Sequence, residues 1–504
     1  MKYRISLLTC FLICYTSTLF AQSLDEKFSI DKMTKDLQIF KDIRIKANSG
    51  LYKYRTKKQI DSIYQWAFKE VKKSKSYRDF YNIIYQLTDF EGSLHNDISL
   101  PKKVFKSMKN EEQGYFPLPI KLIQDKVIVN IVNKEIPLGA EIVSINNLKI
   151  NEILQSLYKY YTTDGVNITG KSIGIHYNFS RYYRLHYGLK SAFKVKYRVH
   201  DSDKIQQKVL HSISFNAYYK NIKNRYSKPF DEVNYKDWKE NEIYSYKSID
   251  RETGILTIND FGMGNEKNPM HLRYVSFLDS VFTGIKNNNI KNLIVDIRYN
   301  GGGTDPNDLV TYSYLTQRNF SENKQAWISF NKIPYLKYAY TKIPRFLRPL
   351  GVGKYNKSFQ NQFPKEENGK FYQDSTSADH KIRTPNKNAF TGNIYLLISP
   401  RVASAGSLFA AMVAGNSNAI TIGEETMGGY YGHNGHNALG YILPKSKIEL
   451  FFSVVNLEQD VVKKENQIYN RGIIPDHNVS QTYTDYINQV DTQLNFVIDL
   501  IQQE

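Results

Sequence analysis

Cysteine is nearly absent from this 504-residue chain. Cys10 and Cys14 are the only two, and both fall in its first turns of sequence. There Lys2 and Arg4 form a short basic start, Ile5 to Leu19 is mostly apolar, and Ala21 offers a small residue before Gln22. That is the pattern of a secretory signal over residues 1–21. The apolar run is shorter than the roughly 20 residues a bilayer span needs, so no membrane span is expected in the mature chain. The mature chain then has no cysteine, which excludes disulfides, a cysteine nucleophile and thiolate metal sites. An exported chain without disulfides must be held by its core, and this length permits that. Internal repeats, long low-complexity tracts and a concentrated basic block are also missing. The formal net charge of +19 is spread along the sequence, which reads as a solvated basic surface, not a nucleic-acid site. The expected location is periplasmic, cell-surface or secreted.

What is present divides into blocks. Residues 22–100 read as an N-terminal helical region, with apolar residues at three- and four-residue steps in Asp61 to Lys72 and Tyr77 to Leu87. Glu91-Gly92-Ser93-Leu94-His95 breaks the pattern. Residues 112–200 turn strand-like. Within them Ile136-Pro137-Leu138-Gly139-Ala140-Glu141-Ile142-Val143-Ser144-Ile145, followed by a helical stretch from Ile150 to Tyr161, resembles a PDZ-like module. Such modules take a peptide end as an added strand. Residues 201–243 are polar and poorly patterned, and read as a connector. From 244 to 490 strands and helices alternate, which predicts a layered α/β domain. Residues 318–390 interrupt it and are expected to cross its functional face.

Two segments of that domain carry chemistry. In Ile398-Ser399-Pro400-Arg401-Val402-Ala403-Ser404-Ala405-Gly406-Ser407, a buried strand ends in a turn and small residues open a helix. A serine there projects from a helix start, where backbone N–H groups favour developing negative charge. Alone, such a serine reads equally as a helix cap. The second segment is Leu293-Ile294-Val295-Asp296-Ile297-Arg298-Tyr299-Asn300-Gly301-Gly302-Gly303, a buried strand running into glycines whose N–H groups no side chain shields. Neither a Walker ending nor a dinucleotide Gly-x-Gly-x-x-Gly follows, which excludes a nucleotide cradle.

A strand ending Asp-x-Arg-x-Asn-x-Gly-Gly, followed far downstream by Ala403-Ser404-Ala405, resembles the tail-specific (C-terminal-processing) serine protease family. Ile422-Gly423-Glu424-Glu425-Thr426-Met427-Gly428-Gly429 and the closing Gly472-Ile473-Ile474-Pro475-Asp476 extend the likeness over roughly 245–480. The resemblance implies a crotonase-like (Clp-protease-like) α/β fold and a polypeptide substrate, without cofactor or metal. It puts Ser404 at the nucleophile and Gly302 or Gly303, with the Ala405 N–H, at the oxyanion hole. The processing branch uses a lysine where this chain has Gly429. The likeness therefore falls to the tricorn-core-like branch, which draws a histidine from an N-terminal segment and a glutamate from near the C-terminus. His95 stands where that histidine would be, beside Ser93.

His433, close after the vacated lysine position, is the alternative base. Glu465 and Ser93 are the candidate orienting groups, with Asp460 another nearby acid. His433 and His436 have metal-like spacing, but the sequence shows no carboxylate partners for them. The expectation is an exported serine endopeptidase. A non-catalytic ligand- or peptide-binding protein on the same scaffold is the alternative, because a fold does not guarantee chemistry. An acyl-CoA enzyme is disfavoured by the signal pattern.

Overall fold

The computed structural model describes residues 23–226, 239–340 and 348–503, so the signal-like residues 1–21 lie outside it. The site rests on a six-stranded sheet in the order His477–Asn478, Ala419–Gly423, Asn393–Ile398, Asn292–Asp296, Thr253–Ile258, Tyr244–Ser248. All neighbours are parallel except the last pair, where Tyr244–Ser248 runs antiparallel. Continuous apolar runs such as Ile394-Tyr395-Leu396-Leu397-Ile398 are what parallel strands covered on both faces require. Alternate residues serve opposite faces. Leu293, Val295 and Leu396 pack with Leu278, Phe282 and Phe409, whereas Ile294, Tyr395 and Leu397 pack with Val497 of the helix Thr492–Gln503. The helix Ala405–Ala414 is buried along its whole length, as its all-round apolar sequence dictates. It follows the strand Asn393–Ile398, so its first residue stands at the carboxyl end of the parallel sheet, where α/β folds build sites.

A second sheet joins distant parts of the chain. The long strand Glu449–Gln459 pairs antiparallel with Asn96–Ser99, with Asn323–Ile328 and with Asn434–Ile442. The stretch 318–390 thus supplies strands to this sheet, since Lys370–Tyr372 and Lys365–Glu367 continue it beyond Asn323–Ile328. The helices Ile30–Ala47, Lys57–Val71 and Tyr77–Phe90 pack against it in one core with Phe452, Val454 and Leu457. Each is capped as its sequence suggests, by Ser29, Thr56 and Ser76.

A third sheet has the order Ile120–Ile123, Lys126–Val129, Glu141–Ile145, Ala192–Arg198, Ile205–His211. Its last strand lies in the stretch 201–243, read above as a connector. Ile205–His211 pairs along its length with Ala192–Arg198, and a helix follows at Phe215–Lys223. Only Leu210 of that edge strand is buried, so the sequence carries no apolar alternation to announce it. Among the described residues no helix is long and apolar enough to cross a membrane.

Candidate active site

Ser404 has φ 51° and ψ −131°, at the residue preceding the helix Ala405–Ala414. A non-glycine residue with positive φ is strained, and such strain concentrates at functional turns. Its side chain makes no cap hydrogen bond, which removes the helix-cap reading of this serine. The glycine turn presses against it. A Cβ on Gly302 would lie 2.7 Å from Ser404 Cβ and 3.1 Å from the Ala405 nitrogen, and Gly302 itself has φ 113°. Only glycine fits there.

The motif residues fix this contact. Buried Asn300 accepts from the Gly302 N–H at 2.9 Å and donates to the Ile258 carbonyl at 3.2 Å. Its own carbonyl receives the Ala403 N–H. Arg298 forks between Asp296 and Asp491, and Ser399 donates to the Arg298 carbonyl. The Gly302 N–H is committed to Asn300, whereas the N–H groups of Gly301, Gly303, Ser404 and Ala405 have no hydrogen-bond acceptor among the described residues.

The histidines come together. The rings of His95 and His433 lie 5.1 Å apart, although 338 positions separate them in sequence. The His95 segment is anchored before and after. Buried Glu91 accepts from Arg44, from Asn48 at 3.0 Å and from Asn96 at 2.9 Å. Asn96 then pairs with Phe452. Buried Asp164 bridges this segment to the turn after Thr426, accepting from the Leu94 N–H and the Gly429 N–H at 3.0 Å each. That turn also donates from Met427 and Gly428 to the Val402 carbonyl, two residues before Ser404. Gly428 has room for no side chain, because one would collide with Ser407 Oγ. The histidine segment and the serine turn thus lean on one shared bend.

Burial lowers the His95 pKa to about 4 and drives His433 well below its ordinary value, with His95 and His436 opposing its charge. Both imidazoles are therefore neutral bases in the resting protein. His95 Nε2, His433 Nδ1 and Ser93 Oγ are buried without a hydrogen-bond partner. Among the described residues no carboxylate is hydrogen-bonded to either ring. Glu465 is exposed, and Asp460 is occupied by Arg318 and the Ser321 N–H. His436 turns instead toward Asp305 and Glu322.

Residues 252–479 match the profile of Peptidase family S41. The chain carries a serine-type S41 peptidase domain. Its fold is similar to that of mature CPAF, with a TM-score of 0.58 at 12% identity over 91% of this chain and 94% of that one. It is likewise similar to mature CPAF complexed with lactacystin, with a TM-score of 0.56 at 12% identity over 94% and 99% of the two chains. Among curated proteins no relative matches the sequence.

In this S41 domain the later motifs have structural duties. Glu425 holds Arg471 and the Gly472 N–H, and Thr426 receives the Ile473 N–H. Asp476 accepts from the Thr421 N–H and hydroxyl. The closing Gly-Ile-Ile-Pro-Asp segment is thereby bolted to the sheet. Sequence reasoning missed two residues near the histidines. Asp164 is one, its carboxyl pushed up to about 6 by burial. The other is Lys53, whose ammonium donates to the Leu457 carbonyl at 2.7 Å and to Asn456 at 3.0 Å, with its pKa lowered to about 8 by burial. Asp164-Gly165 carried only a turn signal, and Lys53 sits in an unpatterned loop. A cavity of about 770 Å³ opens between the third sheet and the S41 domain, lined by Leu122, Ile173, Arg298, Ser399 and Glu424. Neither Ser404 nor His95 lines it.

Proposed function

We propose that the chain is an exported serine endopeptidase that cleaves extracytoplasmic polypeptides through a Ser404 acyl-enzyme. The supporting observation is the Ser404 turn: a strained serine at a helix start, packed on Gly302, with no acceptor among the described residues for the Ala405 N–H that follows it or for the Gly303 N–H of the glycine turn. His95 takes the Ser404 proton as the hydroxyl attacks the scissile carbonyl. His95 is favoured over His433 because the residue is half-buried while His433 is only 3% exposed, and a base must also reach the leaving amine. The Gly303 and Ala405 N–H groups stabilise the tetrahedral oxyanion, each such donor being worth about 3 kcal/mol. His95 returns the proton to the amine, and water releases the acyl group. Ser93, whose Oγ is buried without a partner two residues before His95, is the orienting group in this reading. Glu465 has no support for that role, and the fold falls in the crotonase-like, tricorn-core-like branch that dispenses with the lysine. The third sheet acts as a PDZ-like module: its edge strand Ile120–Ile123 and the helix Lys171–Tyr187 both contribute to the lining of the 770 Å³ cavity, which suits a peptide end. Export rests on the signal pattern in residues 1–21.

Fluorophosphonate labelling of the mature protein, with peptide hydrolysis read in parallel, tests this. Wild type should label and cleave, Ser404→Ala should do neither, and His95→Ala should lose about 10²–10⁴ in rate. Labelling that survives His95→Ala and disappears in His433→Ala transfers the base to His433. A wild type that neither labels nor cleaves favours a binding protein on this scaffold, a reading to which Gly429 in the lysine position lends weight.

A further inference from the structure

Beside the glycine turn lies a cluster of acids that the chemistry above does not use. Asp305 and Asp308 follow the turn, Asp308 on the helix Asn307–Ser313. Glu322 immediately precedes the strand Asn323–Ile328. His436 stands in the strand Asn434–Ile442, at the register shift between Gly435 and Ala438, with φ 53°. One carboxylate oxygen each of Asp305 and Glu322 and one ring nitrogen of His436 lie within 4.8 Å of one another. His436 Nε2 is 3.6 Å from Glu322 Oε1 and 3.4 Å from Asn323 Nδ2.

The second observation is burial without partners. Asp308 is fully buried, and Glu322 is 1% exposed with both carboxylate oxygens buried and without a hydrogen-bond partner. The same fold satisfies its other buried acids. Glu91 has Arg44, Asn48 and Asn96, and Glu425 has Arg471 and the Gly472 N–H. An ionised carboxylate stripped of water and donors costs several kcal/mol unless a cation meets it. Arg383 acts on the cluster only at a distance, and Asp379 adds further negative charge. Burial and mutual repulsion raise the pKa of all three acids. Protonation would relieve the charge yet leave new O–H donors without acceptors.

We propose that Asp305, Glu322 and His436 bind a divalent transition-metal ion, with Asp308 behind them supplying further negative charge. Two carboxylates and an imidazole suit Mn²⁺ or Zn²⁺ better than Ca²⁺ or Mg²⁺. Of the three, His436 is exposed and Asp305 half-buried, which gives the ion a path from solvent. The ion would tie the segment after the glycine turn to the strand that follows His433, and so clamp the serine side of the site to the histidine side. Its binding is measured directly and does not depend on peptidase activity.

The full mature chain, stripped by chelator dialysis, is titrated with MnCl₂ and ZnCl₂, with CaCl₂ and MgCl₂ as comparators, and its metal content is read by elemental analysis. One Mn²⁺ or Zn²⁺ should bind per chain and raise Tm, as a ligand selective for the native state must. Asp305→Asn and His436→Ala should each weaken binding by about tenfold or more, with unchanged circular dichroism. If Asp305→Asn does not fold, His436→Ala, the more accessible of the two, carries the test. Folded protein that takes up neither ion saturably overturns the proposal, as does binding that both variants leave intact. Ca²⁺ or Mg²⁺ binding more tightly than either transition metal overturns the imidazole ligand.

Discussion

The serine turn and the histidine pocket solve the same problem, holding a reactive side chain, in opposite ways. Ser404 is fixed by neighbours on two adjacent parallel strands. Asn300 bonds the Gly302 N–H and the Ile258 carbonyl, Ser399 bonds the Arg298 carbonyl and the Arg401 N–H, and Gly302 packs directly on Ser404, so the side chains that hold the turn have their partners. His95 is held by a composite of the first helix, the Asp164 loop and the long strand Glu449–Gln459. That pocket keeps three buried polar atoms without partners, on Ser93, His95 and His433. A site whose donors are filled is rigid before substrate arrives. A pocket with unpaired groups gains those bonds only when something enters, consistent with catalytic hydrogen bonds that tighten in the bound state.

The contrast is most exposed at its two buried acids. The Arg44 and Glu91 side chains are 2% and 3% exposed, whereas Arg471, paired with Glu425, is 37% exposed. Removing Glu91 strands a guanidinium that water cannot reach, and breaking such a pair costs about 3–5 kcal/mol. Removing Glu425 lets Arg471 regain water. Urea unfolding should therefore rank Glu91→Ala as clearly more destabilising than Glu425→Ala. The reverse order would mean that the histidine side is the looser scaffold.

On the serine side the effect should appear in rate more than in stability. Gly302→Ala sets a methyl 2.7 Å from Ser404 Cβ at a backbone angle that alanine avoids. It displaces the nucleophile from its oxyanion donors, a disruption comparable to losing one donor, about 10²–10³-fold in kcat. Steady-state kinetics on a peptide substrate checks it. A loss below about tenfold would show that this turn has slack, and would erase the distinction drawn from its filled hydrogen bonds.

The same contrast decides what could be read without coordinates. The parallel sheet and the serine turn are legible because strand, turn and helix are contiguous. Leu293 to Gly303 and Ile398 to Ser407 each hold a whole structural unit. Asn300 could be picked out in a motif, though its role as the acceptor that occupies the Gly302 N–H could not. The histidine pocket is legible only in part. His95 and His433 were both candidates, but their contact depends on pairings such as Asn96 with Phe452, and antiparallel register between distant strands leaves no local mark. Glu322 sits in a polar stretch whose apolar pattern is weak, so nothing in sequence tied it to His436. Ile205–His211 stayed hidden for a related reason, since an exposed edge strand need not alternate.

The smallest effect concerns protons. Lys53 faces His433 from the N-terminal loop, His436 acts on both rings, and His95 opposes charge on His433. Burial above all, with His436 adding to it, makes protonating His95 unfavourable, and its folded pKa falls to about 4, against about 6.5 in the unfolded chain. Because the folded value is the lower one, the unfolded chain takes up the proton first as pH falls. Stability from this group is complete above about pH 6.5 and is lost progressively down to about pH 4, amounting to roughly 3 kcal/mol at most. His433 shifts in the same direction. In kcat/KM the acid limb should accordingly lie near pH 4, well below that of an ordinary histidine, because the free enzyme keeps its base neutral until then. A limb at pH 6–7 that disappears in His95→Gln would show that water enters the pocket and solvates the ring. The histidine side would then be open where the serine side is closed.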